Sequence, residues 1–213
     1  MKLNELPKEI ALFPLSNAVF FPRTILPLNI FERRYIELVN DSMKGKRLFG
    51  MIQPKYKNNT DTKVKVYNVG CLGKIISFNE TNDKRFIISL SGIIRFKIQE
   101  ELEKNKLYRI FKVDYSDFEE DLNTKKDEET YDKKNLIKKI KLLFKKKNYL
   151  VDLDEIEKLN FDQLINTICM IAPFSSEEKQ KMIEIVKIED KIKNLEEIIN
   201  FNLLDYTENK TIQ

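Results

Sequence analysis

Histidine is absent from the 213 residues, and cysteine occurs only at Cys71 and Cys169. A Ser-His-Asp triad is therefore excluded, and two distant thiols without imidazole cannot assemble a structural zinc site. No cofactor and no metal are expected. Cys71 and Cys169 read instead as buried, reduced thiols, which points to a cytoplasmic protein. Glycine (5) and proline (6) are scarce as well, so most turns must rest on Asn, Asp and Ser. There is no glycine-rich loop joining a strand to a helix, no Gly-x-x-x-x-Gly-Lys-Ser/Thr and no GxSxG. Their absence removes the nucleotide-hydrolysing and α/β-hydrolase readings. Charges and Pro7 interrupt Met1 to Ile10, so no secretory leader is expected, and no apolar run is long enough to span a bilayer.

What remains is a hydrophobic fraction of 42% with 14 Phe and 8 Tyr, enough to build one full core or two small ones. The net charge of +4 arises from many charges of both signs, with lysine far exceeding arginine. Because arginine makes the bidentate phosphate and base contacts, this bias argues against a nucleic-acid partner, and nothing indicates a membrane partner.

The chain is organised around Leu12 to Tyr35, where Pro14, Pro22 and Pro27 bound two apolar runs. Proline inside a ladder costs a hydrogen bond, so these three mark strand starts, crossings or bends at a sheet edge. Short strands are expected over Ala11 to Leu15 and Ala18 to Phe21, parted by Ser16-Asn17. The period then changes: Phe31, Tyr35, Leu38, Val39 and Met43 recur at helical spacing. Asn29 and Glu32 offer a capping box for that helix, and Gly45 a left-handed terminator. Leu48 to Ile52 reads as a strand and Lys55 to Lys65 as an exposed loop. Strands follow over Val66 to Phe78, Arg85 to Ser91, Ile93 to Ile98 and Tyr108 to Tyr115, with a hairpin turn over Asn79 to Lys84. Phe86, Ile88 and Leu90 point inward, and Gly70, Gly73 and Gly92 allow curvature. Several short, bent strands favour a small closed or partly closed barrel.

Composition shifts at the acidic run Asp117 to Asp132. Beyond it, residues 134 to 147 form a helix with a wet lysine-rich side. Lys138, Lys139, Lys141, Lys145, Lys146 and Lys147 could hold phosphates as point charges, although a solvated face is the simpler reading. Phe161, Leu164, Ile165, Ile168 and Ala172 make one packing face ended by Pro173. Ser175 and Glu178 form a capping box ahead of Met182, Ile183 and Val186. Ile188, Ile192, Leu195, Ile199 and Leu203 define a last helix.

Four segments carry a family resemblance: FPLSNAVFFPRTILPLNIFERRY from Phe13 to Tyr35, FGMI from Phe49 to Ile52, VGCLGKI from Val69 to Ile75, and DKRFIISLSGIIRFKI from Asp83 to Ile98. With the distal EEKQKMIEIVKIEDKIKNLEEII, Glu177 to Ile199, they resemble the amino-terminal substrate-binding domain of the Lon protease family, particularly its standalone forms. Lys84 stands where that family often has glycine. The resemblance implies an α+β fold, a Lon-type amino-terminal pseudo-barrel followed by a compact carboxyl-terminal helical bundle. It divides the chain into a β-rich part with an inserted helix (9–117), an acidic connection (118–131), a helical bundle (132–205) and a flexible tail (206–213).

The resemblance further implies a noncatalytic polypeptide-recognition or adaptor module. Its partners would be unfolded or exposed polypeptide segments, with a separate protease or chaperone as a further candidate. Phe21, Ile25, Phe31 and Tyr35 are the candidate apolar contacts, with Arg33 and Arg34 as a charged rim; each also has a reading as core or solvated surface. The alternative is a small-ligand-binding protein or a hydrolase using a pocket between the sheet and helical parts, with Cys71 as the nucleophile to test.

Overall fold

The computed structural model describes residues 2–16, 18–55, 64–123 and 132–208, with side chains to 204. The chain divides into two compact units, Met1–Thr124 and Lys125–Gln213.

The first unit is a six-stranded sheet carrying one helix. Its strands are β1 (Glu9–Pro14), β2 (Ile25–Ile30), β3 (Leu48–Ile52), β4 (Val69–Glu80), β5 (Phe86–Leu102) and β6 (Arg109–Asp114), with α1 (Arg33–Met43) between β2 and β3. The strand order is β2-β5-β4-β3-β1-β6, and β5 also pairs with β6. Long β5 makes this possible: Phe86 to Lys97 face β4, while Lys97 to Leu102 face β6. The pairings β1–β3, β3–β4, β4–β5, β5–β6 and β6–β1 therefore return to their starting point, and all are antiparallel except β1–β3. Register shifts between Leu72 and Gly73, between Ile75 and Ser77, and between Ile98 and Glu100 supply the bending such a circuit needs. Phe21, Phe49, Phe96, Leu12, Leu72 and Ile94 fill the interior.

Several sequence expectations change. Ala18 to Phe21 is not a strand, although its apolar side chains are largely buried, because here the chain crosses rather than pairs. Asn29 lies within β2 and caps nothing; α1 starts after Glu32, with no side-chain cap. Gly45 does not adopt a left-handed conformation, which falls instead to Arg47 (φ 62°). Ile93 does not start a new strand: it is the extra residue of a bulge inside β5, between the Leu72–Ile94 and Gly73–Gly92 pairs. Lys84 is left-handed (φ 62°), the conformation for which glycine is favoured at such a turn.

Residues Ser116–Leu122 form a 3-10 segment that belongs to this unit, although the sequence reading gives residues from 118 onward to the acidic connection. Phe118 is 2% exposed, and the Arg95 guanidinium lies 4.4 Å over its ring. Asp121 accepts from the Arg95 backbone N–H (3.0 Å), Nε (2.8 Å) and Nη2 (2.8 Å). The remainder of that connection, 124–131, lies outside the described residues, as do 56–63 of the expected Lys55 to Lys65 loop, Asn17 and 209–213.

The second unit contains α2 (Lys133–Lys146), α3 (Leu153–Glu157), α4 (Phe161–Ile171), α5 (Ser176–Glu184) and α6 (Ile188–Glu208), the last running beyond the expected end at 205. Local chemistry sets the starts: Asp132, Asp152, Asn160 and Ser175 each accept a backbone N–H as N-cap, and Ser175 with Glu178 completes the expected capping box. Leu143, Phe144, Leu164, Ile165, Cys169, Met182, Leu195 and Ile199 are buried. Val186, however, lies beyond the end of α5 and is exposed. The α2 lysines are substantially engaged inside the unit. Lys139 pairs with Glu196 at 3.5 Å, Lys141 with Glu157, and the Lys133 and Lys146 ammonium groups donate to the Leu159 and Leu203 carbonyls. That leaves less charge for an anionic partner than the sequence suggests.

Candidate functional site

The turn before β2 fixes the site's position. Arg23 is left-handed (φ 61°); its backbone N–H donates to the Gly92 carbonyl, and the Gly92 N–H donates to the Thr24 carbonyl, both at 2.9 Å. The Thr24 hydroxyl donates to the Phe21 carbonyl at 2.7 Å, so the turn is closed from inside. Phe21 itself is 0% exposed. The expectation that it offers a contact surface is corrected: its ring belongs to the core.

β2 then runs along the end of the sheet order with β5 as its pairing partner. Leu28 and Ile30 turn inward, while Ile25, Pro27 and Asn29 turn outward. Their cross-strand partners Ser91, Ser89 and Ile87 share the outward face, because directly paired residues project to the same side. Ile76, the extra residue of the β4 bulge, is exposed near the same strands, and Phe31 follows directly on β2. Ile25 is 57% exposed, Phe31 63%, Ile76 52% and Ile87 48%. This is a sheet face with apolar side chains and small serines between them. Spaced at strand rise, Ile25 and Phe31 lie about 20 Å apart.

Pro27 controls the edge of this face. The Gly92-to-Thr24 bond and the register place Leu26, Leu28 and Ile30 as the β2 residues whose backbone groups face β5. Ile25, Pro27 and Asn29 then direct theirs outward, and Pro27 has no N–H to offer. The edge is interrupted at its centre, which disfavours continuous strand addition and leaves the side-chain face as the contact surface.

The other candidates lie on α1. Arg33 and Arg34 are exposed, and Arg34 is paired with Glu32 at 2.8 Å. Tyr35 is 5% exposed, its ring stacked on Phe13 with centroids 4.0 Å apart and covered by the Arg34 guanidinium at 4.5 Å. As an open apolar contact Tyr35 is thus corrected too: packing against Phe13 covers its ring. Arg34 and Tyr35 instead line a cavity of about 750 Å³, with Pro14, Pro54, Leu102, Lys104, Lys106 and Arg109 among its other walls. Arg109 is held by a two-point bond to Glu101 (2.9 and 2.7 Å).

Beside that cavity, Asp41 accepts from Lys106 Nζ at 2.7 Å and from the Tyr108 hydroxyl at 2.9 Å, fastening α1 to the β5–β6 hairpin. The Lys106 bond holds the Asp41 carboxyl down at about 2, helped by Lys44 and Tyr108 and opposed by burial. Burial and the bond to Asp41 push the Tyr108 phenol up. A depressed carboxyl contributes stability that is complete above its ordinary value of 3.8 and disappears as pH falls toward about 2. Asp41→Asn is therefore expected to remove part of the acid sensitivity: between about pH 4 and 2 the variant loses less unfolding free energy than the parent in urea titrations.

Cys71 is 0% exposed within β4, and its thiol donates to the Leu72 carbonyl at 3.6 Å. A nucleophile there has no access to a substrate. Burial pushes the Cys169 thiol up to about 12. Among the described residues, no group of three or more His, Cys, Asp or Glu side chains could hold a metal ion, and no helix is long and apolar enough to cross a membrane.

The sequence reading did not nominate Ile76, Pro27 or Ile87 for this surface. Alternation with buried Phe86, Ile88 and Leu90 had already turned Ile87 outward, but its neighbours on β2 were set by register. Ile76 carries no outward signal in the doublet Ile75-Ile76, because only the bulge decides which of the two faces solvent.

A family model described as the ATP-dependent protease La (LON) substrate-binding domain matches residues 9–200. The chain is 26% identical over 214 residues to the Lon protease of Desulfosudis oleivorans, covering 94% of this chain and 25% of that protein. It is 24% identical over 198 residues to the Lon protease of Dictyoglomus thermophilum, covering 90% and 24%. The chain thus spans about a quarter of the length of these curated relatives. In fold it is similar to the Lon N-terminal domain protein from Xanthomonas campestris, with a TM-score of 0.63 at 19% identity, covering 90% of this chain and 97% of that one.

Proposed function

Since the chain belongs to the ATP-dependent protease La (LON) substrate-binding domain family, we propose that it is a noncatalytic polypeptide-recognition or adaptor module that captures exposed apolar segments on the outward face of β2, β5 and β4. The observation carrying this reading is the exposure of Ile25, Ile76 and Ile87 on neighbouring strands and of Phe31 directly after β2. Large apolar side chains grouped on a surface mark an interaction site more often than the same residues scattered singly. The serines between them leave room for a client's side chains, and Arg33 supplies a charged rim beyond Phe31. In this reading the strand circuit is the family's pseudo-barrel. The module works in the cytoplasm and passes its clients to a separate protease or chaperone.

The test uses an unfolded, reduced and carboxymethylated polypeptide as ligand, followed by fluorescence anisotropy. Ile25→Asp combined with Ile87→Asp changes only solvent-facing side chains, so circular dichroism and thermal unfolding should match the parent. Losing two partly covered apolar contacts of about 1 kcal/mol each is expected to weaken binding at least roughly tenfold. Unchanged affinity in the folded double variant would refute the sheet-face assignment.

A further inference from the structure

We propose that the outward face of β2, β5 and β4 selects apolar segments that carry Asp or Glu beside their large side chains. The inference rests on the polypeptide reading and names the class of client that this face takes.

Register sets the charges of the face as well as its apolar groups. Ser91 pairs with Ile25 on one side and with Lys74 on the other, so these three side chains project together as one row. The next two rows, Pro27 with Ser89 and Ser77, then Asn29 with Ile87 and Asn79, contain no charge. Lys74 is therefore the only ionised group in the three rows, and it shares its row with the apolar contact Ile25. Its partner on β3 is Leu48, so neither cross-strand neighbour can neutralise it. Lys74 is exposed, and among the described residues it has no ion-pair partner.

Arg47 adds a second cation at this corner. It directly precedes β3, and its carbonyl accepts the Ile75 N–H at 2.9 Å, which holds it beside the β4 bulge that exposes Ile76. Its side chain too is exposed and has no ion-pair partner among the described residues. Beyond Phe31, at the other end of the face, Arg33 is in the same state, whereas Arg34 is held by Glu32.

The carboxylates that neighbour these strands in the chain do not offset this charge. Glu32 is engaged by Arg34 and Asp83 by Arg85, both at 2.8 Å. Glu80 pairs with Phe86 and so projects from the side of the sheet on which Phe86 is buried. The exposed apolar side chains thus lie between unpaired cations at both ends. An acidic flank on a client meets attraction there and a basic one repulsion, while the apolar contacts do not distinguish the two. Exposed charge pairs are individually weak and screened by salt, so the selectivity is a sum over a few of them.

The full chain should be titrated, by fluorescence anisotropy, with labelled peptides that share a Phe-Ile-Leu core and differ only in their flanks, Asp-Asp, Ser-Ser or Lys-Lys. A fourth peptide keeps the Asp-Asp flanks around a Ser-Ser-Ser core. At low salt the Asp-flanked apolar peptide is expected to bind about tenfold more tightly than the Lys-flanked one, and the ratio should fall several-fold in about 0.5 M salt. Lys74→Glu with Arg47→Glu should reverse that order and leave the Ser-flanked peptide bound as before. Lys74→Gln with Arg47→Gln, which introduces no charge, should remove most of the preference. Equal binding of the Asp- and Lys-flanked peptides to the parent overturns the inference. So does a preference that the folded neutral variant retains in full, or equally tight binding of the acidic peptide that lacks the apolar core. Ile25→Ser with Ile87→Ser removes apolar surface without adding charge and should weaken all three apolar peptides alike. If it does so while the flanks make no difference, the sheet-face reading stands and only the acidic preference falls. If it leaves the apolar peptides bound as tightly as to the parent, the sheet-face reading fails and this inference with it.

Discussion

Replacing Asp121 by alanine is expected to lower the unfolding free energy by about 3–5 kcal/mol, because it strands a buried guanidinium. The Arg95 and Asp121 side chains are 4% and 10% exposed, so neither charge recovers hydration when the other is removed. Arg95 reaches both Asp121 carboxylate oxygens and also sends its backbone N–H to one of them, while its flat face covers Phe118. Losing the carboxylate therefore frees the Ser116–Leu122 segment as well as leaving a charge without its counterion. Arg23 Nη2 also donates to the Asp121 carbonyl at 3.2 Å and to the Asn123 carbonyl, which ties this segment to the turn before β2. Urea unfolding should report a lower midpoint with little change in slope. Arg95→Met with Asp121→Leu should recover most of the loss, since a hydrophobic replacement avoids the desolvation penalty that a half-removed pair suffers. A fully additive double-mutant cycle would show that the two side chains act independently and would defeat this account.

Gly92→Ala should cost about 3 kcal/mol, through space rather than backbone freedom. A Cβ at this position would stand 2.1 Å from the Phe21 carbonyl oxygen and 3.1 Å from the Pro22 Cα. Both are backbone atoms, so no side-chain rotation relieves the clash. The only relief is to move the Phe21–Thr24 turn, breaking the bonds from Arg23 to Gly92 and from Gly92 to Thr24. Because that turn launches β2, the recognition face should suffer together with the fold: faster hydrogen exchange at the Gly92 amide and weaker binding of the unfolded polypeptide. Gly45→Ala is the contrast. Its Cβ would meet only the Ser42 carbonyl oxygen at 3.8 Å, and Gly45 has no positive φ, so stability should be unchanged or slightly higher. Equal behaviour of the two variants would rule out the steric explanation.

Local signals recovered a large share of the architecture. Leu48–Ile52, the alternation through Phe86, Ile88 and Leu90, and the Ser175–Glu178 cap can each be read from a few consecutive residues, because each depends on short-range geometry. The capping-box pattern at Asn29 and Glu32 misled for the same reason. It satisfies the local rule, yet pairing Asn29 with Ile87 recruits it into β2 and delays the helix to Arg33. Asp121 looks like one more charge in an acidic run until Arg95, 26 positions earlier in the sequence, appears beside it.

The linear order of residues determined the α+β class and the family resemblance, since these depend on residue type and on patterns carried within short stretches. Tertiary structure alone decided that Phe21 is enclosed, that Tyr35 faces a cavity with its ring covered, and that Ile25 and Ile87 share one open face. Burial and cross-strand neighbours are set by register and by contacts between distant segments. An apolar side chain therefore carries the same local signature whether it fills the interior or meets a partner.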